Sequence, residues 1–400
     1  MSNQTHNFTL PYKHSTPASL DTHTQKRYLS RFEPRISNYI STPQNACIEC
    51  QIDLFGREAI GKVVGGMNAH VGDFTALCAP EALPDRIGLC SYFIEYAFVH
   101  DDVSVDAIQT ARVHEDVQRN EPTIAIESSL RRKQARAKIW SVLNDLDAEY
   151  FARCQKTFTQ WFETGRQMRD QAFINLEDYL ATRAVDCGAN WVVRMMGWAS
   201  GVELSSEEEV ETGPVTYLAF VVLGVTNDIW SWEKEKRVTR ESGGSSPLIN
   251  AVQFVMQMHD VDEDTAKQTV CRIIREHEEQ YCRLRDEYLQ SPNLSLAVRK
   301  WFQVLELSIA GNALWSIHAI RYHPDVRNPY SGPFDFSSDF NVLAVVQPRL
   351  GSFEERSALN ECPEHKHIDG PDETEKESTL AHVLRVWGAY RDTAWALQLN

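Results

Sequence analysis

Three oxygen-bearing side chains recur every four residues in Asn227-Asp-Ile-Trp-Ser231-Trp-Glu-Lys-Glu235. On a helix, that spacing sets an amide oxygen, a hydroxyl and a carboxylate along one face. The stretch covers about 12 Å of helix axis. Convergence on one ion therefore needs Ser231 in the middle, with Glu235 leaning back toward the helix N-terminus. Hard oxygen donors suit Mg²⁺, which keeps several waters and completes its shell with substrate phosphates. The same pattern also fits a helix that turns polar as it leaves the core, and alone it does not separate the two.

A second set of oxygen donors is Asp101, Asp102 and Asp106, which follow the aromatic run Tyr92-Phe-Ile-Glu-Tyr-Ala-Phe-Val99. Carboxylates beside apolar surface are costly unless cations or water compensate them. Asp102 and Asp106 share a helical face, and Asp101 is offset. A solvated acidic helix end fits this segment alone equally well. Two such ends opposed across a cavity would hold divalent ions and, through them, a diphosphate.

Helices must position these residues. Tyr217 to Val225 is too uniformly apolar for a surface helix and reads as a buried one that delivers Asn227, Ser231 and Glu235 at its end. Asp85 to about Asp106 reads as a helix delivering the aspartates. Helical periodicity also runs through 128–165, 176–201, 248–258, 263–290 and 293–322. Strand signals are few and no internal repeat is visible, so the predicted fold is an all-α bundle. Residues 1–45, rich in Thr, Ser and Pro, read as a loose N-terminal arm, and 46–330 as the bundle. Residues 331–400 read as a C-terminal tail or linker remnant, acidic over 353–378, with a short terminal helix near 381–399.

Composition narrows the function classes. A formal charge of −16 over 400 residues argues against nucleic acid or an anionic membrane surface as a passive electrostatic partner. Divalent cations can still bridge an acidic protein to a polyanion. No stretch approaches the roughly 20 apolar residues of a membrane span, and the polar Met1–Thr16 is unlike a signal peptide. The nine cysteines, including a lone Cys47-x-x-Cys50, read as reduced thiols, and a cytoplasmic location is expected. Oligomeric state, homo-oligomer or monomer, is not legible.

The order of these motifs resembles that of class I terpene cyclases, most closely the fungal ones, including the cyclase halves of chimeric diterpene and sesterterpene synthases. The family's DDxxD/E motif and its longer-spaced variants correspond to Asp101-Asp-Val-Ser-Val-Asp106, and its NDxxSxxKE motif to Asn227–Glu235. A pyrophosphate-sensing arginine is expected upstream, where Arg183 stands in Tyr179-Leu-Ala-Thr-Arg-Ala-Val-Asp186. A closing Arg-Tyr pair is matched by Arg321-Tyr322. One departure is Val105, which stands where the third acid of DDxxD would fall. Asp101 is therefore the expected ligand, with Asp102 and Asp106 as partial or outer ones.

The resemblance implies a single class I terpenoid synthase bundle around a deep apolar cavity. It implies three Mg²⁺ ions holding a linear prenyl diphosphate, with Asn227, Arg183, Lys234, Arg321 and Tyr322 contacting the diphosphate. The allylic C–O bond would then ionise and the cation would cyclise away from water. Phe98 and Trp315 are candidates to face that cation, an attraction worth about 1–2 kcal/mol each when desolvated. Trp191 is a weaker one, and ordinary core packing is the alternative for all three. Asp186 is expected to orient Arg183 and relay diphosphate binding to a helix break at Gly188. His100 more simply bonds locally, and Asp228, off the Asn227 face, reads as orienting.

Early aspartates and the likeness to chimeric enzymes favour geranylgeranyl or geranylfarnesyl diphosphate, with farnesyl diphosphate the alternative. A chain-elongating prenyltransferase would want a second aspartate-rich motif, which is not seen, and no prenyltransferase domain is read after residue 325. A non-catalytic helical binding or scaffold protein would leave the apolar run ending in Asn227, Ser231 and Glu235 unexplained, while the displaced third acid keeps a degenerate, inactive relative as an alternative.

Overall fold

The computed structural model describes residues 10–57, 65–67, 72–105, 123–167, 173–241, 243 and 248–323. The described elements are almost all helical: α1 (Thr22–Arg27), α2 (Ser41–Phe55), α3 (Phe74–Cys78), α4 (Ile87–Val105), α5 (Thr123–Leu146), α6 (Ala148–Gln167), α7 (Leu176–Asp186), α8 (Ala189–Ala199), α9 (Ser206–Glu211), α10 (Gly213–Glu241), α11 (Ala251–His259), α12 (Glu263–Leu289) and α13 (Leu296–His318). A 3₁₀ turn, Ile320–Tyr322, follows.

The apolar run of α10 makes it the central helix. It packs against α7, α11, α12 and α13, and from Gly213 to Val222 every residue is buried. A helix apolar all round is stable only when surrounded in this way. Helix α4 packs on α2 and α5, and α3 contacts both α13 and α4. Short polar caps set the helix starts: Asn175, Asp262 and Ser295 each accept a hydrogen bond from a first-turn N–H. The acidic stretch 205–211 is a helix start, with Ser205 and Glu208 closing a capping box.

Two segments that read as single helices by periodicity are divided, the second at the break that the resemblance implies. The 128–165 segment breaks at Asp147, whose Oδ1 accepts from the Tyr150 N–H (2.8 Å) and whose Oδ2 accepts from Trp198 Nε1 (2.9 Å). The 176–201 segment breaks at Gly188, whose φ of +73° ends α7 and starts α8. A side chain is strained at that φ, so the glycine fits the break.

The described part of the N-terminal arm is not loose. Strand β1 (Ser15–Pro17) pairs antiparallel with β2 (Arg35–Ser37), Ser15 opposite Ser37. Ser30 Oγ donates to Glu278 Oε1 (2.5 Å), Thr24 Oγ1 lies 3.0 Å from His318 Nε2, and the Tyr28 hydroxyl donates to the Ala310 carbonyl (3.3 Å). These partners stand more than 240 residues away, which is why composition alone suggests a free arm. The polar side chains of the arm tie it to helices α12 and α13.

Among the described residues no helix is long and apolar enough to cross a membrane. Cys47 and Cys50 are free and buried, and burial pushes both thiols well above their ordinary pKa. The expected helix near 381–399, the tail before it and most of the 107–130 connection lie outside the described residues.

Candidate active site

Helices α7 and α10 meet at Arg183, whose side chain is almost fully buried. Its Nε donates to Asp228 Oδ1 (2.8 Å), Nη1 to Asp186 Oδ2 (2.6 Å) and Nη2 to Asn227 Oδ1 (2.8 Å). Burial by itself would lower the guanidinium pKa; the Asp228 and Asp186 carboxylates outweigh it and hold the group well above its usual value. Asp228, 0% exposed, also accepts from the Tyr179 hydroxyl (2.6 Å) and the Ala251 N–H (3.1 Å). Its carboxylate is thus spent on orienting Arg183 and joining α7, α10 and α11.

The line of hydrogen bonds continues across the site. Asn227 Nδ2 donates to the Tyr322 hydroxyl at 2.6 Å, so one amide links the arginine of α7 to the tyrosine of the closing 3₁₀ turn. One helical turn on, Ser231 Oγ is buried without a hydrogen bond of normal geometry, though it stands near enough to Glu235 to favour the charged carboxylate. Glu235 Oε2 accepts from Asn250 Nδ2 (2.9 Å). Burial pushes the Glu235 carboxyl up and the Asp228 charge adds to this, while Arg183, Ser231 and Asn250 pull it back. Lys234, also buried, stands seven residues after Asn227 and so on its face.

This row has the chemistry of a cation site. A buried hydroxyl without a hydrogen bond of normal geometry and a buried carboxylate are hard donors on one helical face with the Asn227 amide, whose oxygen also accepts from Arg183, and a divalent ion would supply the positive charge that burial denies the carboxylate. The donors present therefore fit Mg²⁺.

An aromatic group adjoins the row. Phe98 stacks on Trp315 with ring centroids 5.3 Å apart at 29°, and Phe74 stands edge-on to both. Trp315 meets Tyr322 edge-on at 5.6 Å, and the Arg321 guanidinium lies 4.6 Å from the Phe98 ring centre. Arg321, Tyr322, Phe98 and Trp315 are thereby one cluster. Trp191 is elsewhere: it packs with Phe93, Phe158 and Trp161 between helices α4, α6 and α8, as core.

The structure brings together Arg183, Asp186, Asn227, Ser231, Glu235 and Tyr322, with Arg321, Phe98 and Trp315 alongside. Asp101 and Asp102 occupy the last turns of α4, but their side chains lie outside the described residues, as does Asp106. His100 stacks against Tyr96, one turn back on the same helix. Asn250 and Tyr179 are not singled out by the sequence motifs. Asn250 has a signal as the polar residue before the apolar α11, and Tyr179 as the hydroxyl one turn before Arg183.

Known proteins resemble this chain in sequence and in fold. Residues 92–280 match the terpene synthase family 2, C-terminal metal-binding domain. A conidiogenone synthase of Penicillium roqueforti is 35% identical over 348 residues, covering 83% of this chain and 46% of that protein. A cyclopiane-type diterpene synthase of Penicillium chrysogenum is 35% identical over 336 residues, covering 80% and 43%. A bifunctional sesterterpene synthase of Talaromyces wortmannii is 34% identical over 263 residues, covering 62% and 34%. The chain thus spans half or less of the length of these relatives. Among solved structures, a point variant of cucumene synthase aligns with a TM-score of 0.57 at 13% identity, over 72% of this chain and 97% of that one, a likeness of fold. The motifs, the helical bundle and these matches agree, and the chain belongs to the class I terpene synthase family.

Proposed function

We propose that the chain is a Mg²⁺-dependent cyclase that ionises a linear prenyl diphosphate and closes the resulting carbocation into a polycyclic hydrocarbon or alcohol. The observation that carries this reading is the continuous hydrogen-bonded line Arg183–Asn227–Tyr322, with the cation-fitted row Ser231–Glu235 at one side and the Phe98–Trp315 pair at the other. Asn227, Ser231 and Glu235, with Asp101 and in part Asp102 and Asp106 from α4 and the residue after it, would hold three Mg²⁺ ions. Bound metal supplies Lewis acidity to the leaving diphosphate.

The protein's own part is distinct from that. Arg183, Lys234, Arg321 and Tyr322 bind and orient the diphosphate by charge and hydroxyl donation. Asp186 and Asp228 hold the Arg183 guanidinium in place, and the Gly188 break lets α7 and α8 respond to what Arg183 binds. Phe98 and Trp315 present ring faces to the cation and keep water away. A twenty- or twenty-five-carbon substrate is favoured, supported by relatives named for diterpene and sesterterpene synthesis.

The test is incubation of purified protein with farnesyl, geranylgeranyl and geranylfarnesyl diphosphates in parallel, with Mg²⁺ or with EDTA. Products are read by gas chromatography–mass spectrometry. A cyclic product from one of the two longer substrates, lost with EDTA, is the expected result. A cyclic product from farnesyl diphosphate alone would move the substrate to fifteen carbons. Linear alcohols alone would contradict a cavity that steers the cation.

A further inference from the structure

Glu95 is a carboxylate in the middle of α4, 1% exposed and outside every motif described above. Two donors reach it: Gln51 Nε2 on α2 at 2.6 Å and the backbone N–H of Gly66 at 2.7 Å. The Gly66 carbonyl, on the other side of the same residue, accepts from Trp315 Nε1 at 3.0 Å. Gly66 also lies flat against Phe98, since a Cβ there would fall 2.7 Å from Phe98 Cδ2. One glycine is thus pinned by Glu95, carries the indole of Trp315 and abuts the ring stacked on it.

From these contacts we infer that Glu95 is a positioning residue for the aromatic wall: through Gly66 it fixes Trp315 and Phe98 against each other and against Arg321, and so sets which ring closures the wall permits. The inference rests on the cyclase reading above. A single buried acceptor serving two donors is a rigid joint. The other acceptor near Gln51 Nε2 is the Met67 sulfur at 3.2 Å, a weak one that does not replace a carboxylate. Displacement of an indole by a fraction of an ångström changes the contour that a cation meets, whereas Arg183 and Lys234, two of the groups proposed to bind the diphosphate, stand on α7 and α10 rather than on this wall. The carboxyl is pushed up to about 7, first by burial and then by the charge of Asp73, with Gln51, Gly66 and Arg321 pulling it down.

The test compares wild type with Glu95→Ala and Glu95→Gln in two readouts. One is the product ratio with kcat and KM on the substrate that wild type cyclises. The other is the ¹⁵N-indole spectrum, in which the Trp315 signal is assigned by its loss in Trp315→Phe. In Glu95→Ala the indole signal should shift and kcat should fall about ten- to a hundredfold, the scale set by small misplacements. The product ratio should change while KM stays near wild type. Glu95→Gln keeps an acceptor for Gly66 and should restore the indole signal and the product ratio. Should Glu95→Ala fail to fold, Gln51→Leu must move both readouts in the same direction by less. A folded Glu95→Ala or Gln51→Leu with the wild-type indole signal and product ratio would overturn the inference. If wild type cyclises none of the three prenyl diphosphates, the cyclase reading fails by itself, and the indole spectrum still decides whether Glu95 positions Trp315.

Discussion

Two aromatic clusters of similar composition sit in this molecule, and they differ in what their edges touch. Phe93, Trp140, Phe158, Trp161 and Trp191 pack on one another through tilted and edge-on contacts between helices α4, α5, α6 and α8. Phe74, Phe98, Trp315 and Tyr322 are packed as closely, but a guanidinium lies over one ring, a hydroxyl joins the Arg183–Asn227 line, and a glycine carbonyl holds the indole. The first cluster holds helices together and, on the proposed function, the second faces the reacting cation. Aromatic content does not distinguish them, nor does an indole–carbonyl bond, since Trp161 Nε1 donates to the Asp186 carbonyl (2.9 Å); the guanidinium and the phenol hydroxyl at fixed distances do.

The largest effect should come from the polar joint on which the site depends. Asp228→Ala leaves Arg183, Tyr179 and the Ala251 N–H without their shared buried acceptor, a loss of about 3–5 kcal/mol by the behaviour of broken buried ion pairs. Chemical denaturation should show it, together with loss of cyclic product. Phe158→Ala opens the structural cluster and should cost about 3–5 kcal/mol in the same assay. It should leave the ratio of products unchanged among the molecules that fold. Trp315→Phe should do the reverse: about 1 kcal/mol of stability from one lost hydrogen bond, with a changed product ratio. Equal effects of the two substitutions on product ratio would erase the distinction between the clusters.

A pH-dependent effect belongs to Glu95. Its carboxyl titrates at about 7 in the folded chain against the ordinary 4.5. A raised acid binds more protons folded than unfolded between those values, so stability falls as pH rises from about 4.5 through 7. The burial penalty is absent below that window and fully present above it. Glu95→Gln, which cannot ionise, should escape this slope. Its stability relative to wild type should grow across the window by up to about 3 kcal/mol, read from denaturation midpoints at pH 4.5, 6 and 7.5.

Much of the polar half is legible in sequence because its residues sit at helical intervals on two long elements. Asn227, Ser231 and Glu235 declare a face by spacing alone, and Arg183 stands one turn after Tyr179 on a clear helix. The break at Gly188 is expected through the family resemblance alone, because periodicity runs unbroken from 176 to 201. The arm misleads because Ser30, Thr24 and Tyr28 find Glu278, His318 and Ala310 only in the folded chain. Glu95 stays hidden for a related reason: within an aromatic helix it reads as one polar interruption, and its meaning depends on Gln51 and Gly66 from elsewhere in the chain. The division at Asp147 is not visible because an aspartate inside a charged, periodic stretch is not a recognisable stop.

The central claim is that the face carrying Asn227, Ser231 and Glu235 binds divalent metal together with diphosphate. The most direct measurement is the melting temperature of wild type and of Asn227→Ala and Glu235→Gln, each with Mg²⁺ alone, inorganic diphosphate alone, and both. Ligands that bind the folded state raise its stability by mass action, by about 2.7 kcal/mol at a hundredfold excess over Kd. Wild type should gain stability only when both are present, and the two variants should gain little or none. An equal gain in all three proteins, or none in wild type, would contradict the account.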